Sequence, residues 1–137
     1  MNKIVLVGFI LFVNINISSQ TVPQVSAGSI RHFEKFPSEY VDTRNVDVWL
    51  PDGYSPKKKY SVLYMHDGQM LFDASITWNK TAWEVDDVFG KLLKEKKIKD
   101  CIVVGVWNVK GKRTADYYPQ KVIDMMPENK QKEIFKD

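Results

Sequence analysis

The fourteen-residue stretch YSVLYMHDGQMLFD, residues 60–73, constrains the fold more than any other part of the chain. Its apolar run, residues 60–65, stops abruptly at His66-Asp67-Gly68, the pattern of a buried strand that delivers a polar, glycine-containing turn to the edge of a sheet. In open α/β sheets, ligands bind at such turns beyond the carboxyl ends of strands. Apart from Ser61, both faces of the run are apolar or aromatic, which predicts a strand covered on both sides.

The residues beyond this turn support a parallel sheet. Residues 67–80 read as a polar loop, and Thr81-Ala82-Trp83-Glu84 then matches a capping box at a helix entry. Val85, Val88, Phe89, Leu92 and Leu93 follow at the spacing of one apolar helical stripe. Lys91, Lys94, Lys96 and Lys97 crowd the end of that helix, where its dipole favours positive charge. A second continuous apolar run, CIVVGVW at 101–107, completes a strand, helix and strand, the signature of a right-handed parallel crossover.

Upstream, Ser29–Phe36 and residues 41–50 read as two strands joined by the turn signal Pro37-Ser38-Glu39, hence an antiparallel hairpin. In the second strand Val46, Val48 and Leu50 alternate with Asn45, Asp47 and Trp49, the period-two pattern of a half-buried strand. Residues 21–28 read as an exposed leader and 108–119 as a polar loop, and Pro127 with Glu128 opens another helix. The fold class expected is α/β, an antiparallel hairpin leading into a parallel strand-helix-strand unit.

Met1-Asn2-Lys3, an apolar stretch at 4–13 and Ser18-Ser19-Gln20 together form the pattern of a secretory signal peptide over residues 1–20. At about ten residues the apolar stretch is half of the roughly 20 that a membrane-spanning helix needs. The expectation is an exported protein, periplasmic or secreted, whose domain occupies residues 21–137 without a stable membrane anchor. With 44% hydrophobic and 12% aromatic residues, the chain of 137 suffices for a core. The net charge of +3 comes from dispersed lysines rather than one basic face, which argues against a nucleic-acid partner. Cys101 is the single cysteine and lies in an apolar run, so it reads as a buried, inert thiol.

For chemistry, the serines beyond the leader are Ser26, Ser29, Ser38, Ser55, Ser61 and Ser75, and none stands in the G-x-S-x-G elbow that exposes a nucleophile in this architecture. Neither His32 nor His66 follows an elbow-borne nucleophile and an acid in chain order, so no Ser-Asp-His triad can be assembled in that order. His66, Asp67, Gly68 and Gln69 stand where such folds place an oxyanion-hole N–H; equally, His66 and Asp67 can brace the loop by hydrogen bonds. A metal site of His66, Asp67 and Asp73 lacks a ligand spacing of known type, and no cofactor is called for. Trp78, Trp83 and Trp107 lie beside the strand ends, either lining a pocket or covering the edges of the core.

In order and spacing, VDVWLPDGY, YSVLYMHDGQMLFD, WEVDDVF and CIVVGVWNVKGKRTADYYPQK resemble the N-terminal part of the putative esterase family of α/β hydrolases. That family includes feruloyl, acetyl-xylan and enterochelin-type esterases. The resemblance implies that 66–69 is an oxyanion-hole loop, with the N–H of Gly68 or Gln69 as donor. It also implies that Trp107, Asn108, Arg113 and Tyr117 border the substrate pocket. The implied activity is that of a serine esterase acting on small-molecule or carbohydrate-linked acyl esters. The family's serine, acid and histidine have no counterpart here, so the chain as given is expected to be an inactive front portion that stops before the nucleophile strand. The alternative is a non-catalytic binding protein that keeps the front of the sheet. In either case the open side of the strand at 60–65 is expected to expose an apolar edge.

Overall fold

The computed structural model describes residues 22–135. The hairpin forms as expected: β1 (Ser29–Phe36) pairs antiparallel with β2 (Arg44–Leu50), and a bulge between Phe33 and Phe36 ends the regular register. β3 (Ser61–His66) is followed by α1 (Val85–Lys94) and β4 (Cys101–Val106), and β3 pairs parallel with β4. β2 joins β4 antiparallel, so the sheet order is β1-β2-β4-β3. Three short helices close the described chain: α2 (Arg113–Tyr117), α3 (Gln120–Asp124) and α4 (Glu128–Ile134), the last with Pro127 at its entry. The α/β class holds, with a mixed sheet.

The core lies on one face of the sheet. Trp49, Leu71, Phe72, Val85 and Val103 form its centre, and Ile30, Met65, Phe89 and Leu93 pack around them. β2 is half-buried as its alternation predicts, and the covered face is that of Asp47 and Trp49, which are fully buried, while Val46 and Val48 are only partly covered. β3 forms the open apolar edge expected at 60–65 but departs from the expectation that both of its faces are covered. As the outermost strand it leaves Val62, Leu63 and Tyr64 exposed, at 46%, 40% and 72%, so the apolar run that predicted two covered faces ends as an open edge.

The connection after β3 is not a polar loop. Leu71 and Phe72 plunge into the core, and the extended residues behind them bond back, Trp83 N–H to the Met70 carbonyl and Val85 N–H to that of Leu71. Those bonds displace the capping box. Thr81 makes no helix cap, Glu84 sits in the left-handed region at φ 53°, and α1 begins at Val85. Its stripe is narrower than expected, for Val85, Phe89 and Leu93 reach the core whereas Val88 is half exposed. The 108–119 loop likewise contains a helix, α2, that its polar composition concealed.

The leader is anchored as well. Gln24 N–H donates to Asp73, Ser26 N–H to Asp86 and Gly28 N–H to Asp52, while the Trp49 indole donates to the Ala27 carbonyl. An extended segment needs acceptors for its amides, and three aspartates supply them. The signal segment at 1–20 lies outside the described residues. Cys101 is buried, and burial pushes its thiol pKa up, as suits an inert thiol.

Candidate functional site

The turn after β3 is built by two residues with different tasks. Asp67 takes a left-handed conformation, φ 54° and ψ 44°, which aspartate tolerates better than most residues. The reversal starts a single 3-10 turn, with Met70 N–H on the Asp67 carbonyl at 2.7 Å and Leu71 N–H on that of Gly68 at 3.3 Å. Gly68 then lies flat against β4. A Cβ there would sit 2.6 Å from the Gly105 backbone and 2.7 Å from the Trp107 ring, so only glycine on both sides allows this approach. Neither the Gly68 nor the Gln69 N–H finds an acceptor among the described residues.

The Asp67 carboxylate gathers the loop after β4 around this turn. Arg113 grips it with a fork, Nε to Oδ1 at 2.9 Å and Nη2 to Oδ2 at 2.6 Å. Asn108 Nδ2 donates to Oδ1 at 2.7 Å and the Tyr117 hydroxyl at 3.0 Å, while Tyr117 also accepts from the Asp67 N–H. The Gln69 side chain accepts from the Asn108 N–H at 3.2 Å. Charge-assisted forks of this kind are the strongest hydrogen bonds available to a carboxylate. The Arg113 hydrogen bonds, against the opposing cost of desolvation and with help from Asn108 and Tyr117, hold Asp67 down to about 2. The Tyr117 hydroxyl moves up, mainly by burial. His66 packs its ring on that of Tyr117 at 4.9 Å between centroids, and Arg113 lies over the same ring at 5.0 Å.

The structure thus brings together all eight residues singled out from the sequence: His66, Asp67, Gly68, Gln69, Trp107, Asn108, Arg113 and Tyr117. Of these, Arg113 and Tyr117 also line a shallow cavity of about 310 Å³ with Thr114, Tyr118 and Pro119. Trp107 instead turns its indole inward, to Asp47 Oδ2 at 2.5 Å. The carboxylate of Asp73, weighed as a metal ligand, is occupied by the N–H groups of Gln24 and Ser75, and no metal-binding cluster occurs among the described residues. Trp78 is 85% exposed and does not line that cavity. No serine among the described residues is hydrogen-bonded to His32 or His66.

Asp47 and His32 were missed as neighbours of the site. They are direct cross-strand partners in the hairpin, and Asp47 in turn faces Gly105 of β4, which faces Met65 of β3. One row across the sheet therefore runs from His32 to the strand that carries the turn. The only sequence signal was a histidine and an aspartate on opposing strands, which specifies a pair once the register is known.

Across residues 38–137 the sequence matches the model of the family described as "Putative esterase". The chain belongs to that esterase family. Among solved structures, it is similar to a ferulic acid esterase from the anaerobic fungus Anaeromyces mucronatus without substrate, at 30% identity over 58% of this chain and 29% of that one, with a TM-score of 0.43. The same esterase in complex with ferulic acid matches at 27% identity over 81% of this chain and 39% of that one, TM-score 0.45. A feruloyl esterase module from Clostridium thermocellum complexed with sinapinate matches at 24% identity, 67% of this chain and 32% of that one, TM-score 0.41. The esterase-family chain thus spans between 29% and 39% of the length of these proteins. Its relationship is to carboxylic ester hydrolases.

Proposed function

We propose that this chain is the front part of an exported serine carboxylesterase that hydrolyses acyl esters, foremost carbohydrate-linked ones, through an acyl-enzyme. In that reaction a serine attacks the ester carbonyl, the negative charge on the carbonyl oxygen is held by backbone donors, and water releases the acid. The observation that carries the proposal is the pair of N–H groups at Gly68 and Gln69, without acceptors among the described residues, at the carboxyl end of β3 and fixed by the Asp67 clamp. Donors that are already oriented need no reorganisation when charge develops, which is what makes such a turn useful. Ferulic acid and sinapinate, bound in the similar structures, supply the class of ester to test. In this reading Arg113 and Tyr117, which line a shallow cavity beside the turn, border the acyl group.

The chain itself contains no G-x-S-x-G, so the proposal includes that it does not turn over esters unaided. Purified, it should leave p-nitrophenyl acetate at the background rate and resist labelling by a fluorophosphonate. The same chain joined to a segment that carries G-x-S-x-G with its acid and histidine should hydrolyse methyl ferulate, and Gly68→Pro, which removes one donor, should lower kcat by about a hundredfold or more. Serine-dependent turnover by the chain alone, or full activity in Gly68→Pro, overturns the proposal. The exposed edge of β3 favours a second reading, a non-catalytic protein that docks a partner strand there. An inert but fully folded product that captures an extended peptide would support it.

A further inference from the structure

The cluster of His32, Asp47 and half-buried Trp107 lies behind the turn, with the Asp47 carboxylate and His32 Nε2 shut off from solvent. Asp47 is 0% exposed, and its carboxylate accepts from Trp107 Nε1 through Oδ2 and meets His32 Nδ1 through Oδ1, both at 2.5 Å. His32 has 6% of its side chain exposed, its ring meets Trp107 edge-on at 5.7 Å, and its Nε2 has no partner among the described residues. A carboxylate without solvent is expensive to keep in a core, and here burial raises its pKa against the two hydrogen bonds. Packing alone does not call for a charged side chain at the centre of a strand.

What the carboxylate does hold is the indole. Trp107 follows β4, and its Cδ1 edge abuts Gly68 closely enough that a methyl group there would be 2.7 Å away. With Gly105 beneath and Trp107 beside it, Gly68 has a floor and a wall, and the orientation of the wall is set by the bond from Nε1 to Asp47. The indole has one donor, so this single acceptor determines which edge it turns to the glycine. His32 fixes the carboxylate from the other side, across the β1–β2 register.

We propose that Asp47 is a positioning residue of the 67–69 turn, acting through Trp107, with His32 as its brace. The role as part of an oxyanion hole rests on the function proposed above; the mechanical link from Asp47 to the turn does not. Groups one step removed from a reacting centre commonly set its geometry in this way.

Hydrogen exchange read by mass spectrometry on the whole chain tests it. The amides to follow are those of Asp67, Met70 and Leu71, bonded respectively to the Tyr117 hydroxyl and to the carbonyls of Asp67 and Gly68. In Trp107→Phe, and in Asp47→Leu beyond the general acceleration that its lower stability brings, these amides should exchange about tenfold faster relative to those of β1 and β2, the loss of one net hydrogen bond. Asp47→Asn should restore slow exchange, because its amide oxygen still accepts from the indole. Equal acceleration in every peptide, or no rescue by Asn, overturns the proposal and leaves the cluster a purely structural core. A separate arm adds phenylphosphonate, an anionic tetrahedral mimic, to the wild type. Protection at 66–71 supports the oxyanion role, and its absence alone sinks that role without touching the link from Asp47.

Discussion

Asp47 and Asp67 hold neighbouring residues of the same loop, Trp107 and Asn108, yet their acidities move in opposite directions. Asp67 stands at the rim of the sheet with a guanidinium across from it, and its hydrogen bonds with Arg113 pull it down to about 2. Asp47 stands inside, meeting only Trp107 and the His32 ring, and the loss of water pushes it up against both. A carboxylate that accepts several hydrogen bonds is therefore not assured of a low pKa; the charge and hydration of its surroundings decide. For stability the signs differ too. Asp67, depressed below the ordinary 3.8, contributes stability that is complete above that value and disappears as pH falls toward 2. Asp47, raised, favours the fold in its protonated form, so its contribution is largest below 3.8 and is lost as pH rises through its shifted value.

The difference between the two carboxylates should show most at Asp47. Asp47→Ala removes the acceptor and strands both the indole N–H and His32 in the core, a loss of about 3–4 kcal/mol in urea unfolding at neutral pH. An effect under about 1 kcal/mol would mean that water or rearrangement satisfies those groups, and the contrast with Asp67 would fail. Next comes Gly68→Ala, where the added methyl meets the Gly105 backbone at 2.6 Å. Because backbone cannot step aside cheaply, a cost of about 2 kcal/mol is expected, again from urea midpoints. Smaller is Asp67→Asn, since Arg113 is more than half exposed and water screens the pair. Its deficit against wild type should be present at pH 7 and close as pH falls from about 4 to 2, the window of the depressed pKa. A deficit that persists unchanged at pH 2 would show that shape rather than charge does the holding.

The smallest effect on stability lies at the open edge. Tyr64→Lys, at a site 72% exposed, should change the unfolding free energy by under about 0.5 kcal/mol. It should nonetheless raise the soluble fraction on expression, because a charge on an edge strand opposes pairing with another chain. Unchanged solubility would argue that the β3 edge is not where copies associate.

Much of the site was legible in advance, and for a local reason. Asp67 and Gly68 belong together because one residue reverses the chain and the next must approach a strand, and both demands are written in residue type. The loop partners Asn108, Arg113 and Tyr117 were reached through the family's pattern, and the structure adds that they converge on one carboxylate. The misreadings share a cause as well. Thr81 and Glu84 form an adequate capping signal, but the amides of Trp83 and Val85 were claimed by carbonyls of Met70 and Leu71, which a window of four residues does not contain. The leader looked free because the aspartates that bind it lie 24 to 60 residues away.

By itself the sequence determined where strands and α1 would form and that a reversed, glycine-lined turn would follow β3, since hydrophobic periodicity and allowed backbone angles act within a few residues. Only the tertiary structure decided which face of β2 is dry and that Asp47 lies behind the turn. Those outcomes depend on strand order and register, and the bonds that set them join residues far apart in the chain.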